Sequence, residues 1–197
     1  MRLCPFGDRG RAAGTSEGFF PRLLLVIVCQ SSPGFETAVP QRYWEDFSPG
    51  SVSEFGPRLV TRDEIVEFAA AFDPQPMHLD EAAARASMLG SLAASGWHSC
   101  CLLMRMISDG FLGQSHFLGA PGVDQVRWLR PLRAGEIVRV RATVLKTRAS
   151  RSRPQLGFVK FLFELLDSSG NVLMTLTVSP MFGRRDAASA SRDRMPG

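Results

Sequence analysis

The residues whose types and spacing could do chemistry lie in one short stretch, Phe72 to Asp80, which holds a carboxylate and an imidazole five positions apart. Asp73 and His78 are separated by two prolines, whose fixed φ angles shape the loop and allow both side chains to be held towards one point. A carboxylate and a histidine that share a water form a minimal general acid–base pair. The same spacing also fits a structural interpretation, in which Asp73 caps backbone N–H groups and His78 packs inside.

The elements around this stretch must position the pair. Thr61 and Glu64 have the spacing of a capping box, and an apolar stripe at helical spacing follows them. The prolines after Asp73 end this helix, so we predict Asp73 at its C-terminal end and His78 in the loop that follows. Asp80 is predicted to cap a second, short helix.

A third helix is predicted from Ser95-Gly96 to about Phe111, and it is apolar on nearly every side. A helix of this kind is normally buried, here most simply by a sheet that wraps it. The second half of the chain has apolar and polar residues in alternation, which is typical of strands. We predict strands over 123–129, 138–144, 158–166 and 172–178, the last two as a hairpin. The order predicts an α+β fold with an antiparallel sheet.

The whole chain has 197 residues, 45% of them hydrophobic, which suits one domain with tails. We predict the domain at 41–184 and poorly ordered segments at 1–40 and 185–197, because neither end shows a sustained period. The four cysteines have no disulfide or metal spacing, which favours a reduced, cytoplasmic protein without a metal. The net charge of +4 comes without a nucleic-acid-binding motif, so no nucleic acid is expected. The apolar run at 23–28 is too short to span a membrane, and its alternative interpretation is a signal-peptide core.

Several landmarks in order resemble one known family. The segment 73–78, Asp-Pro-Gln-Pro-Met-His, resembles the Asp-x-Asn-Pro-x-His motif of MaoC-like dehydratases and (R)-specific enoyl-CoA hydratases. The opening at 43–50, the small residues at 93–96 and the Pro-x-x-x-Gly-Glu turn at 131–136 are also similar, so the likeness covers about 41–184. Two departures stand out, since the family's Gly before the Asp is Phe72 here and its Asn is Gln75.

The resemblance implies a single hot-dog domain, in which the antiparallel sheet wraps around the central apolar helix. It also implies a reaction, the reversible addition of water to a trans-2-enoyl thioester to give a 3-hydroxyacyl thioester. Asp73 and His78 match the catalytic pair, with the acid and base roles left open. Gly96 matches the position whose N–H holds the thioester oxygen, although plain helix packing would also explain this glycine. No cofactor beyond the thioester carrier is implied.

Three further residues are predicted to bind substrate. Gln75 keeps the amide that positions the loop, and Ser95 either caps the central helix or donates to the catalytic carboxylate. An apolar tunnel for the acyl tail is expected beside the central helix, lined by Trp97 and some of Leu102, Leu103 and Met106. His98, in the same helix, is expected to be structural. The arginine-rich stretch at 139–153 is either a site for CoA phosphates or a solvated strand face.

Two rival functions remain. A hot-dog acyl-CoA thioesterase usually carries a carboxylate on the central helix, and residues 96–107 contain none. A non-catalytic subunit that binds acyl thioesters or serves as a dimer partner is the other rival, favoured by the departures at Phe72 and Gln75. In each case we expect an acyl-CoA or acyl-carrier thioester as ligand. We also expect a homodimer formed by strand pairing at the sheet edges.

Overall fold

The computed structural model describes residues 41–185, so the predicted segments at 1–40 and 185–197 lie outside the described residues, apart from Arg185. Two short 3₁₀ turns occur, at Trp44–Asp46 and Leu112–Gln114. The helices are α1 (Arg62–Phe72), α2 (Pro76–Leu79), α3 (Glu81–Ala86) and α4 (Gly96–Gly110). The strands are β1 (Val52–Leu59), β2 (Phe117–Gly119), β3 (Val123–Trp128), β4 (Ile137–Ala149), β5 (Leu156–Leu166), β6 (Val172–Val178) and β7 (Met181–Gly183).

All the strands belong to one antiparallel sheet. Its main path runs in the order β1-β4-β5-β6-β3, and β7 pairs with both β5 and β2. In the register of β5 with β6, Phe163 lies opposite Leu176, which confirms the predicted hairpin. β1 and β3 form the two ends of the main path, so each has one edge without a strand partner among the described residues.

Alternation along the strands decides which face is covered. On β5, and on β4 as far as Val144, every second residue is buried, and these side chains pack against α4 in one hydrophobic core. The helix contributes Leu102, Leu103, Met106 and Ile107 to this core. The predicted α+β fold, a hot-dog arrangement of one antiparallel sheet around a central helix, is therefore confirmed.

One expectation about the central helix is wrong in part. We predicted that α4 is buried on all sides, but the sheet covers only one side of it. On the other side Met104 is 46% exposed and Trp97 is 61% exposed. The reason is geometric, because a single curved sheet cannot enclose a helix completely. Within residues 41–185, no helix is both long enough and apolar enough to cross a membrane.

Candidate active site

The first helix brings Asp73 to its place. The hydroxyl of Thr61 accepts a hydrogen bond from the Glu64 N–H at 3.2 Å, and the Glu64 carboxylate accepts one from the Thr61 N–H at 2.8 Å. This capping box fixes the start of α1, as predicted. The helix ends at Phe72, and the N–H of Asp73 donates to the Ala69 carbonyl at 2.9 Å. Asp73 is thus the C-terminal cap of α1, which confirms its predicted position.

His78 is not in a loop, as the sequence suggested, but in the single turn of α2. The turn begins at Pro76, because proline at a first helical position needs no hydrogen-bond acceptor for its nitrogen. The imidazole is 6% exposed, and its Nδ1 lies 2.8 Å from the carbonyl oxygen of Ala93. A carbonyl can only accept, so Nδ1 carries a proton. In the neutral ring, Nε2 is then an acceptor.

Two donors hold the carboxylate of Asp73. The Ser95 hydroxyl donates to Oδ2 at 2.6 Å, and the Gln75 amide donates to Oδ1 at 2.7 Å. The hydrogen bond from Ser95, followed by that from Gln75, lowers the pKa of Asp73 below its ordinary value because both stabilise the ionised form. Ser95 also accepts from the Trp97 N–H at 3.2 Å. Both interpretations of Ser95, as helix cap and as donor to the carboxylate, are therefore correct.

The carboxylate and the imidazole face each other. His78 Nε2 lies 3.8 Å from Asp73 Oδ2, which is too far for a direct hydrogen bond. Both atoms accept hydrogen bonds when Asp73 is ionised and His78 is neutral, so a water molecule can donate one hydrogen to each. The pair lines a cavity of about 400 Å³, which we call the site cavity. Its wall includes the predicted residues Gln75, Ser95, Gly96 and Trp97.

Gly96 is the first residue of α4, where backbone N–H groups have no partner within the helix. Among the described residues, its N–H has no hydrogen-bond acceptor. The indole of Trp128 occupies the space beside the Gly96 Cα. A Cβ at this position would lie 2.7 Å from the indole. The Trp128 Nε1–H donates to the Gly96 carbonyl at 2.9 Å. Glycine is therefore needed here for the packing of a tryptophan, and the residue lines the site cavity.

The residues predicted to line one acyl tunnel lie in different parts of the structure. Trp97 lines the site cavity, Leu103 lines a separate apolar cavity, and Leu102 and Met106 belong to the core. His98 is buried and stacks on a phenylalanine ring of α1 at 4.6 Å, outside the lining of the site cavity. This agrees with its expected structural role.

The arginine-rich stretch does not reach the site cavity. Arg141 forms salt bridges with Glu54 and Glu164, and the Arg148 guanidinium lies over the Phe158 ring at 4.6 Å. These residues are on the face of β4 turned away from α4, so the solvated-face interpretation is favoured. Arg130 is the basic residue that does line the site cavity.

Two residues that contribute to the site were not predicted from the sequence. Trp128 lines the site cavity from β3, and Ala93 holds His78 through its carbonyl. A signal for Trp128 exists, since alternation along 123–129 puts residues 126 and 128 on the same face of the strand. A backbone carbonyl gives no sequence signal. Among residues 41–185, no group of three or more His, Cys, Asp or Glu side chains is arranged to hold a metal ion.

Comparisons with known proteins show which family the chain is related to. Residues 46–159 match the family described as MaoC like domain. A MaoC-like dehydratase from Rhodospirillum rubrum has 36% identity and a TM-score of 0.69, over 73% of this chain and 97% of that one. The R-hydratase PhaJ1 from Pseudomonas aeruginosa has 20% identity and a TM-score of 0.59, over 73% of this chain and 86% of that one. The uncharacterized protein YdeM of Bacillus subtilis is 27% identical over 119 residues, which are 60% of this chain and 82% of that protein. With the matched segment covering more than half of its length, the chain belongs to the MaoC-like domain family.

Proposed function

We propose that the protein is a hydratase/dehydratase that adds water reversibly to a trans-2-enoyl thioester and gives a 3-hydroxyacyl thioester. The observation that carries the proposal is the pair itself. Asp73 Oδ2 and His78 Nε2 are 3.8 Å apart at the wall of a cavity, each fixed by its own hydrogen bonds. The thioester is carried by CoA or by a carrier protein.

The hydrogen bonds suggest how the two residues divide the work. Asp73 receives two donated hydrogen bonds, and its lowered pKa makes it a poor proton acceptor. It therefore orients the water, while His78 Nε2 takes the proton as the water oxygen bonds to C3 of the substrate. The imidazolium then returns a proton to C2. One water is consumed, and its hydrogen and hydroxyl end on neighbouring carbons.

The negative charge that develops on the thioester oxygen needs a donor. Gly96 N–H is suited to this task because it lies at the N-terminus of a fifteen-residue helix and beside the Ser95 hydroxyl that binds Asp73. Donors of this type are typically worth about 10²–10³ in kcat when they contact the developing oxyanion.

The test uses a solution of crotonyl-CoA. Loss of the enoyl absorbance without release of free thiol supports hydration, whereas free thiol supports a thioesterase. No change with either readout supports the binding-only rival. Asp73→Asn and His78→Ala should each abolish hydration while the far-UV circular dichroism stays unchanged. Full activity in either variant would refute the assignment of the pair.

The structure weighs against both rivals. Asp73 is the one carboxylate among the described residues that line the site cavity, and α4 bears only Asp109, near its opposite end. The binding-only rival was favoured by Phe72 and Gln75. Phe72, however, is 75% exposed, and Gln75 binds the Asp73 carboxylate directly. Neither departure removes a contact of the catalytic pair.

We further propose that two copies pair through the free edge of β3. This end strand carries Val123 at 55% and Trp128 at 48% exposure, and Leu129, which follows it, is 54% exposed. Pairing of the strand with its symmetry mate would satisfy its backbone groups and cover these side chains. Light scattering coupled to size-exclusion chromatography tests this, and a monomer at micromolar concentration would refute it.

A further inference from the structure

A second cavity lies along α4 next to the site cavity. Its volume is about 140 Å³ and its lining is apolar. We call it the apolar cleft, and its main lining residues are Cys100, Leu103, Met104, Ile107, Leu176 and Val178. Of the residues predicted to line an acyl tunnel beside the central helix, Leu103 lines this cleft, which is a cavity separate from the site.

The two cavities share one face of the helix. Gly96 lines the site cavity, and Cys100, Leu103 and Ile107 line the apolar cleft. Their spacings of four, three and four residues put all of them in one row along α4. From Cys100 to Ile107 the row extends about 10 Å, at the rise of an α-helix. A chain that left the site along this row would enter the cleft.

Trp128 stands at the boundary of the two cavities. Its indole packs on the Cα of Gly96 and is anchored there by the 2.9 Å hydrogen bond to the Gly96 carbonyl. One turn further along α4, the thiol of Cys100 lies 3.7 Å from the sulfur of Met174, which is opposite Trp128 in the pairing of β3 with β6. The ring thus covers the step along this row from Gly96 of the site cavity to Cys100 of the cleft. Trp97 contacts this ring edge-to-face at 5.5 Å but does not line the cleft.

We infer that Trp128 determines the acyl-chain length of the substrate, by separating the site from the apolar cleft. This rests on the proposed function. A thioester oxygen bound at Gly96 N–H puts the reacting carbons beside Asp73 and His78, and a longer tail then meets the indole. The natural substrates are therefore short-chain enoyl thioesters, of which crotonyl is the smallest straight-chain representative.

The energetic consequence follows from methylene burial. Each buried methylene is worth roughly fourfold in binding, so four methylenes that enter the cleft give at most about 200-fold. Trp128 is half exposed, so its removal does not open the hydrophobic core. In Trp128→Ala the indole no longer separates the two cavities along α4. The tail of a trans-2-octenoyl chain can then enter the apolar cleft.

The experiment compares kcat/KM for crotonyl-CoA and trans-2-octenoyl-CoA within each variant, so that a general loss of activity cancels. Wild type should prefer crotonyl, and Trp128→Ala should shift the ratio towards octenoyl by at least tenfold. Trp97→Ala is the matched control, since it removes the neighbouring indole from the site cavity and leaves the cleft closed. Trp128→Ala combined with Met104→Trp should reverse the gain, because the new ring fills the cleft. If Trp128→Ala does not fold, the milder Trp128→Phe should shift the ratio in the same direction.

Binding of saturated butyryl-CoA and octanoyl-CoA by calorimetry gives the same ratio without turnover. An unchanged ratio in folded Trp128→Ala, or an equal shift in Trp97→Ala, would overturn the inference, as would a wild type that already prefers octenoyl tenfold. Failure of wild type to hydrate any enoyl thioester would reject the proposed function alone, and the calorimetric ratio would then decide the inference. Failure to bind either acyl-CoA would reject both.

Discussion

Replacement of Ser95 by alanine should raise the pKa of Asp73 towards the ordinary value of an aspartate. The Ser95 hydroxyl donates to Asp73 Oδ2 at 2.6 Å and is the largest cause of the lowered pKa of this carboxyl. A hydrogen bond to a charged group is worth about 1.5–3 kcal/mol, and the variant loses this stabilisation of the ionised carboxylate. The Gln75 bond at 2.7 Å remains in the variant, so the pKa should stay below that of an isolated aspartate with no donor.

The pKa can be measured directly from the pH dependence of the carboxyl ¹³C shift in aspartate-labelled protein, with Asp73→Asn to assign the signal. Ser99→Ala is the matched control, since Ser99 lines the same cavity and donates only a long 3.4 Å bond to the Ser95 carbonyl. Ser95→Ala should also lower the free energy of unfolding by about 1 kcal/mol, because Ser95 caps α4. An unshifted Asp73 signal in Ser95→Ala, or an equal shift in Ser99→Ala, would refute the reasoning.

Three further predictions address the pair, a buried histidine and a glycine. His78→Ala should reduce kcat of crotonyl-CoA hydration by about 10²–10⁴, the usual contribution of a general acid–base group and enough to abolish hydration in the absorbance assay. Asp73→Asn, which removes the carboxylate that orients the water, should abolish it in the same assay, and a loss below tenfold in either variant would contradict this. Burial lowers the pKa of His98 in the folded protein, so below about pH 6.5 the unfolded chain binds the proton more readily and stability falls. Urea unfolding should show this fall between pH 7.5 and 5.5 in wild type and less of it in His98→Phe, and equal slopes would contradict it. Gly96→Ala should cost about 1–3 kcal/mol of stability, since its Cβ would lie 2.7 Å from Trp128, and Trp128→Ala should restore part of that loss in a thermal unfolding assay. A double variant less stable than the sum of the two single effects would count against this contact.

Local signals in the sequence predicted most of the fold. The capping box of α1, the cap of α3 by Asp80 and the β5–β6 hairpin each depend on residues close in sequence, and all are confirmed. The exposed side of α4 could not be predicted in the same way. Composition shows that a helix is apolar but not how much of it one sheet can cover, which depends on the curvature of the sheet.

In the candidate site, too, local features could be predicted and tertiary contacts could not. Asp73 at a helix end follows from Pro74, which is local, whereas the helical turn around His78 was missed because two nearby prolines also fit a loop. The Trp128–Gly96 contact joins residues 32 positions apart in sequence. A glycine that opens a helix fits a close substrate, a helix crossing or a packed ring equally well, and only the tertiary structure distinguishes them.

The four residues 93–96 hold both members of the candidate pair. The Ala93 carbonyl fixes His78, the Ser95 hydroxyl fixes Asp73, and Gly96 lines the site cavity. The segment is itself held by the bridge between Ala93 and Arg133 and by the hydrogen bond from the Ala94 N–H to the Leu132 carbonyl at 2.7 Å. The positions of Asp73 and His78 are therefore stabilised by this segment as well as by contacts within 73–78. Gln75, with a longer amide side chain than Asn, binds Asp73 while the contacts from Ser95 and Ala93 are kept.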